Sequence, residues 1–81
     1  MQKVAGWDRK NGKIKQQFEF GGFPAAIRFV NQVARLAEKA DHHPDIDIRY
    51  KKVRLTLTTH SAGGLTQKDF ALARQINKLI R

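Results

Sequence analysis

Residues 40–60, ADHHPDIDIRYKKVRLTLTTH, decide the fold. Within them the pattern changes from helix punctuation to strict alternation. Pro44 biases His43 toward extended geometry, so a preceding helix has to stop at or just before residues 41–42. Beyond it, Ile46, Ile48 and Tyr50 share one side of residues 45–50, the period-two spacing of a half-buried strand. Val53, Leu55 and Leu57 then alternate with Arg54, Thr56 and Thr58. Lys51 and Lys52 join the two runs. The stretch therefore reads as a β-hairpin that follows a helix.

Upstream, residues 12–20 (GKIKQQFEF) alternate as well, with Ile14, Gln16, Phe18 and Phe20 on one side and Lys15, Gln17 and Glu19 on the other. Asn11-Gly12 just before them is a hairpin-turn signal, which places a short partner strand over residues 5–8 around Trp7. Gly21-Gly22 breaks the strand, and Pro24 suits the first turn of a helix. From Phe23 to Ala40 the apolar residues Phe23, Ala26, Ile27, Val30, Val33, Ala34, Ala37 and Ala40 recur by threes and fours. Phe29 and Leu36 widen that stripe, so a partner subunit and scattered exposed apolar side chains are both open readings. Downstream, residues 61–65 form a loop with Gly63-Gly64. Thr66 with Asp69 three residues later has the form of a capping box. A last helix from Gln67 carries Phe70, Ala73, Ile76, Leu79 and Ile80 on one stripe. The order ββαββα predicts an α+β domain, an antiparallel sheet with both helices on one face.

Length and composition narrow the function. A chain of 81 residues makes one small domain, residues 1–81, with little room for a deep internal cavity, and small domains often gain stability by associating. There is no cysteine, which excludes a disulfide framework and thiolate chemistry. No apolar run approaches the length of a membrane span, and the N-terminal stretch lacks a signal-peptide centre. The expectation is a soluble cytoplasmic protein without membrane contact. The formal charge of +9 raises nucleic acid as a partner, with RYKKVR (residues 49–54) the densest cluster. The other cations, from Lys3 to Arg81, are dispersed, and charge alone predicts nonspecific attraction. A solvated basic surface is the preferred reading over a nucleic-acid site.

Only three histidines are present: His42, His43 and His60. Imidazole titrates nearest neutral pH and can give or take a proton there. If the hairpin strands pair antiparallel, their open ends bring His42 and His43 toward His60, with Asp69 in reach and Glu38 near by. That would make an acid–base site. A helix stop with solvated imidazoles is the competing reading. A shared metal is disfavoured, because adjacent residues in extended chain point to opposite sides and no His-x-x-x-His pair exists. Ser61 beside His60 has no nucleophile context, and AGGL (residues 62–65) lacks the Gly-Lys-Ser/Thr ending of a P-loop.

Taken in order, Glu38, then His42-His43-Pro44, then Tyr50, His60 and Asp69 resemble the signature of the pterin-4a-carbinolamine dehydratases at every spacing. THSAGGLTQKD (residues 59–69) and VAGW (residues 4–7) also look like this family. The resemblance covers residue 4 to the C-terminus. It implies a four-stranded antiparallel sheet with helices on one side, and homodimers that join sheets edge to edge or homotetramers that pair through helices. Family members carry a further helix ahead of the Trp-containing strand, and the resemblance leads to the expectation that it is missing here. The implied activity is that of a hydro-lyase, 4a-hydroxytetrahydrobiopterin dehydratase. It dehydrates 4a-hydroxytetrahydropterin to quinonoid dihydropterin, so that aromatic amino acid hydroxylases can reuse their pterin. No metal or other cofactor is implied. By position, His42 and His60 would be the acid–base pair, and His43 would bind the pterin substrate. Asp69 would orient a histidine or help hold the site, and Glu38 would hydrogen-bond the pterin or a histidine. Some animal members also act as non-catalytic dimerisation cofactors of a homeodomain transcription factor, which is the alternative role for the same fold.

Overall fold

The structure, a computed structural model, describes residues 4–80; Lys3 and Arg81 lie outside the described residues. Asn11 and Gly12 both adopt left-handed backbone, with φ of 54° and 73°. That is the geometry of a two-residue turn whose twist matches the flanking strands. The turn makes Lys10 and Lys13 the first pair, so the strands it joins are β1 (Asp8–Lys10) and β2 (Lys13–Glu19). The short partner strand thus lies nearer the turn than residues 5–8. Trp7 sits in the bend before it, where its N–H reaches the Val4 carbonyl at 3.1 Å.

Helix α1 spans Phe23–Ala40, with Pro24 in its first turn and Asp41 as its C-cap. The second hairpin follows as β3 (Asp45–Arg49) and β4 (Lys52–Leu57). Arg49 pairs with Lys52, so the turn is Tyr50-Lys51, one residue earlier than the alternation suggests. Tyr50 has left-handed backbone (φ 54°), which removes it from the strand. A short 3₁₀ turn, His60–Ala62, leads to α2 (Gln67–Leu79). The capping box forms: the Thr66 hydroxyl accepts from the Lys68 N–H, and the Asp69 carboxylate accepts from the Thr66 N–H.

All neighbours in the sheet are antiparallel, in the order β1-β2-β4-β3. The register sets Ile14 opposite Leu57, Gln16 opposite Leu55 and Phe18 opposite Val53. These residues share the face that the helices cover, while Lys15, Gln17, Arg54 and Thr56 take the other. The four-stranded α+β architecture with helices on one face is as the sequence pattern predicts. Leu55, Leu57, Val53 and Ile14 are buried against Ala26, Val33, Leu72, Ala73 and Ile76.

One assignment on α1 differs from the sequence reading. Phe29 is core, 3% exposed, with its ring 4.8 Å from Phe18 and 4.9 Å from Phe20. Burying such a side chain contributes about 1.5–3 kcal/mol. Leu36 packs partly buried against the same cluster. The edge of α1 that turns outward carries Phe23 and Ala34 instead. Periodicity gives the width of an apolar stripe but not the rotation at which it meets the sheet. On α2, likewise, Leu72 is buried and Ile80 is exposed.

Candidate active site

The site is built where α1 ends. Asp41 takes left-handed backbone (φ 51°, ψ 44°), which aspartate tolerates better than most residues. Its N–H meets the Glu38 carbonyl at 3.2 Å, and the His42 N–H meets the Ala37 carbonyl at 3.0 Å. These bonds satisfy carbonyls that the helix end leaves open. They also fix the direction in which the chain leaves, with Pro44 keeping the exit extended. His42 then turns inward and His43 outward.

His42 Nε2 lies 2.6 Å from Asp69 Oδ1; the His42 side chain is 10% exposed and that of Asp69 is fully buried. His43 Nε2 lies 2.5 Å from Glu38 Oε2, and both side chains are well exposed. Solvent screens that outer pair, so it orients more than it stabilises. The two adjacent histidines are therefore held by different carboxylates. Among the described residues, no three His, Cys, Asp or Glu side chains are grouped so as to hold a metal ion.

Asp69 is reached from 27 residues away in sequence by His42 and closer at hand by two threonines. Its Oδ2 accepts from the Thr59 hydroxyl at 2.8 Å and from the Thr66 N–H at 2.9 Å. A fully buried carboxylate is costly unless hydrogen-bonded, and here both oxygens are engaged. Thr59 itself is pinned by a closed loop. Its N–H donates to the Gly64 carbonyl at 3.1 Å, and its carbonyl accepts from the Gly64 and Ala62 N–H groups. Thr59 is 8% exposed.

His60 follows Thr59 directly and opens the 3₁₀ turn, exposed, and among the described residues its side chain has no hydrogen-bond partner. The strand ladder ends at Leu57 and the 3₁₀ turn begins at His60, so the alternation that still buries Thr59 stops before His60. The structure thus joins His42 to Asp69 and His43 to Glu38, and sets His60 one residue from the Asp69 network without bonding it to either. Thr59 was missing from the sequence reading. A signal was present, since Thr59 has the parity of Val53, Leu55 and Leu57, a polar residue on the buried side.

A groove of about 500 Å³ opens at the other end of the helices beside Phe20, Arg28, Phe29, Leu79 and Ile80. No histidine lines it.

The sequence profile of the family described as Pterin 4 alpha carbinolamine dehydratase matches residues 1–79. The chain belongs to this family. A relative from Chloroflexus aurantiacus is 61% identical over 91% of this chain and 80% of its own length. One from Roseiflexus sp. is 58% identical over 95% of this chain and 83% of its own. Both are provisionally named pterin-4-alpha-carbinolamine dehydratase. A solved structure described as a transcriptional coactivator/pterin dehydratase from Brucella melitensis superposes with a TM-score of 0.89. It is 39% identical and covers 93% of this chain and 82% of that one. The family assignment thus agrees with the signature of residues 38–69 and with the four-stranded fold. Among the described residues, no helix of this dehydratase-family chain is long and apolar enough to cross a membrane.

Proposed function

We propose that this chain dehydrates 4a-hydroxytetrahydropterin to quinonoid dihydropterin and water, with His42 and His60 as the acid–base pair. The reaction takes a proton to the leaving 4a-hydroxyl and removes one from a ring nitrogen. Imidazoles do both near neutral pH. The observation that carries the reading is the buried Asp69–His42 pair at the end of α1, in a chain of dehydratase-family sequence. A carboxylate behind an imidazole fixes the ring and leaves its other nitrogen for proton transfer. His60, exposed and unbonded one residue from Thr59, is available for the complementary transfer. His43, steadied by Glu38, lines the outer side and binds the pterin.

The test is dehydration of synthetic 4a-hydroxytetrahydropterin followed by stopped-flow absorbance. His42→Ala and His60→Ala are each expected to lower kcat by roughly 10²–10⁴-fold, with unchanged circular dichroism. A wild-type chain no faster than buffer, or variants that turn over like wild type, would refute the proposal.

The same reading includes a homodimer through β3. This edge strand has one unpaired side, and Ile46 and Ile48 are 38% and 36% exposed on the face they share with Leu55 and Val53. Two copies paired antiparallel about Ile48 would bring Asp47 of one against Arg49 of the other. Unpaired strand edges with apolar flanks favour such association.

A further inference from the structure

The hydrogen bonds around Asp69 run in one direction. Lys68 N–H donates to Thr66 Oγ1 at 3.3 Å, the hydroxyls of Thr66 and Thr59 lie 2.9 Å apart, and Thr59 donates to Asp69 Oδ2 at 2.8 Å. Thr59 spends its only hydroxyl hydrogen on Asp69, so in the Thr66–Thr59 contact Thr66 is the donor. Hydroxyl chains aligned in this way polarise one another. An ionised carboxylate is acceptor-only, so His42 Nε2 carries the hydrogen in its contact with Asp69 Oδ1. Nδ1 is left as the free nitrogen of the ring. Among the described residues, Gln16 Oε1 is the sole buried side-chain polar atom without a partner. Nδ1, which has no partner either, therefore reaches the surface of the site.

We propose that Thr59 is a positioning residue. Its hydroxyl, aligned by Thr66, fixes the Asp69 carboxylate so that His42 is held with Nε2 protonated and Nδ1 presented to the pterin. The N-terminal cap of α2 and the reacting imidazole then share one carboxylate. A purely structural Thr59 would contribute to the cap and leave the state of the His42 ring untouched. The proposal rests on the dehydratase reading for its kinetic consequence, but not for its spectroscopic one.

The experiment compares the full wild-type chain with Thr59→Val and Thr59→Ser. Valine keeps the branched shape and the backbone bonds to Gly64 while removing the hydroxyl. Turnover of synthetic 4a-hydroxytetrahydropterin is measured alongside ¹H–¹⁵N spectra of the imidazole nitrogens, with His42 assigned by its loss in His42→Ala. In wild type, neutral His42 is expected to be protonated on Nε2. Thr59→Val is expected to lower kcat roughly 10- to 100-fold with little change in KM. It should also mix the two ring forms, and Thr59→Ser should restore both readouts. Wild-type kcat and ring state in a folded Thr59→Val overturn the proposal. So does a wild-type His42 protonated on Nδ1, a result that stands even if the valine variant does not fold. A wild-type chain without turnover would defeat the dehydratase reading alone, and the ring-nitrogen spectra would still decide the role of Thr59.

Discussion

Asp69→Asn separates the two jobs of the buried carboxylate. Asparagine keeps the size and branching of aspartate but offers one acceptor oxygen and a donating NH₂. Three donors converge on Asp69: His42 Nε2, the Thr59 hydroxyl and the Thr66 N–H. One side must therefore meet the NH₂. If the cap side did, the Thr66 N–H would be unpaired in a partly buried place, at a cost of about 1–3 kcal/mol beyond the loss of the cap. If the His42 side does, the imidazole can move its hydrogen to Nδ1 and accept on Nε2. The second arrangement is cheaper, so the oxygen stays with α2 and His42 changes form. The Thr59 and Thr66 bonds then drop from a charged to a neutral acceptor, and the His42 bond reverses to a neutral one, about 1 kcal/mol apiece, or about 3 kcal/mol in all. For a domain of this size that lowers Tm by roughly 12–24 °C. A chain of this length has a total of roughly 4–12 kcal/mol, so most of the variant remains folded at 25 °C. Activity falls much further than stability, because His42 now carries its hydrogen on the nitrogen that should face the pterin. A loss of roughly 10²–10⁴-fold in kcat is expected. Urea denaturation read by the fluorescence of buried Trp7, the chain's single tryptophan, measures the first effect, and stopped-flow turnover measures the second. A variant within about 0.5 kcal/mol of wild type would show that the carboxylate does not tie α2 to the end of α1. Wild-type turnover would show that it does not set the state of His42.

Two further outcomes follow from the framework around the site. Gly6→Ala should destabilise by about 1–3 kcal/mol in the same urea assay, since the backbone there is left-handed. Its φ is +84°, and an added Cβ would come within 2.7 Å of Gln16 Nε2. An unchanged midpoint would mean that the bend carrying Trp7 adapts freely. Ile46→Lys should shift sedimentation toward the monomer mass if β3 is the dimer edge, because the charge would be buried between two apolar strands. A variant that sediments like an associated wild type would rule out that edge.

Much of the architecture was legible because it depends on short-range rules. Alternation in residues 45–57 gives two strands, Pro44 stops the helix, and Thr66 with Asp69 marks the start of the next. Asn11-Gly12 announces the first hairpin, although its exact pairing follows from two left-handed residues and displaces the strand toward the turn. The candidate residues His42, His43, His60, Asp69 and Glu38 were also picked out in the sequence, by imidazole chemistry and by resemblance to the family signature. Their partnerships were less so. The carboxylate expected beside a histidine is Asp69 for His42 and Glu38 for His43, a division set by which way each side chain leaves the end of α1.

By itself, the sequence determined the order of elements, the helix caps, the polarity of each strand face and membership of a dehydratase family. Each of these depends on neighbours a few residues apart or on the signature itself. Tertiary structure decided that β4 lies between β2 and β3, that Phe29 is core, that Thr59 is buried, and that Asp69 meets His42. These follow from the rotation of α1 against the sheet and from the 59–64 loop that feeds α2 back beneath the end of α1. Packing fixes that rotation and that return by burying Leu55, Leu57 and Phe29 together, a condition satisfied by the whole core and by no local stretch of the chain.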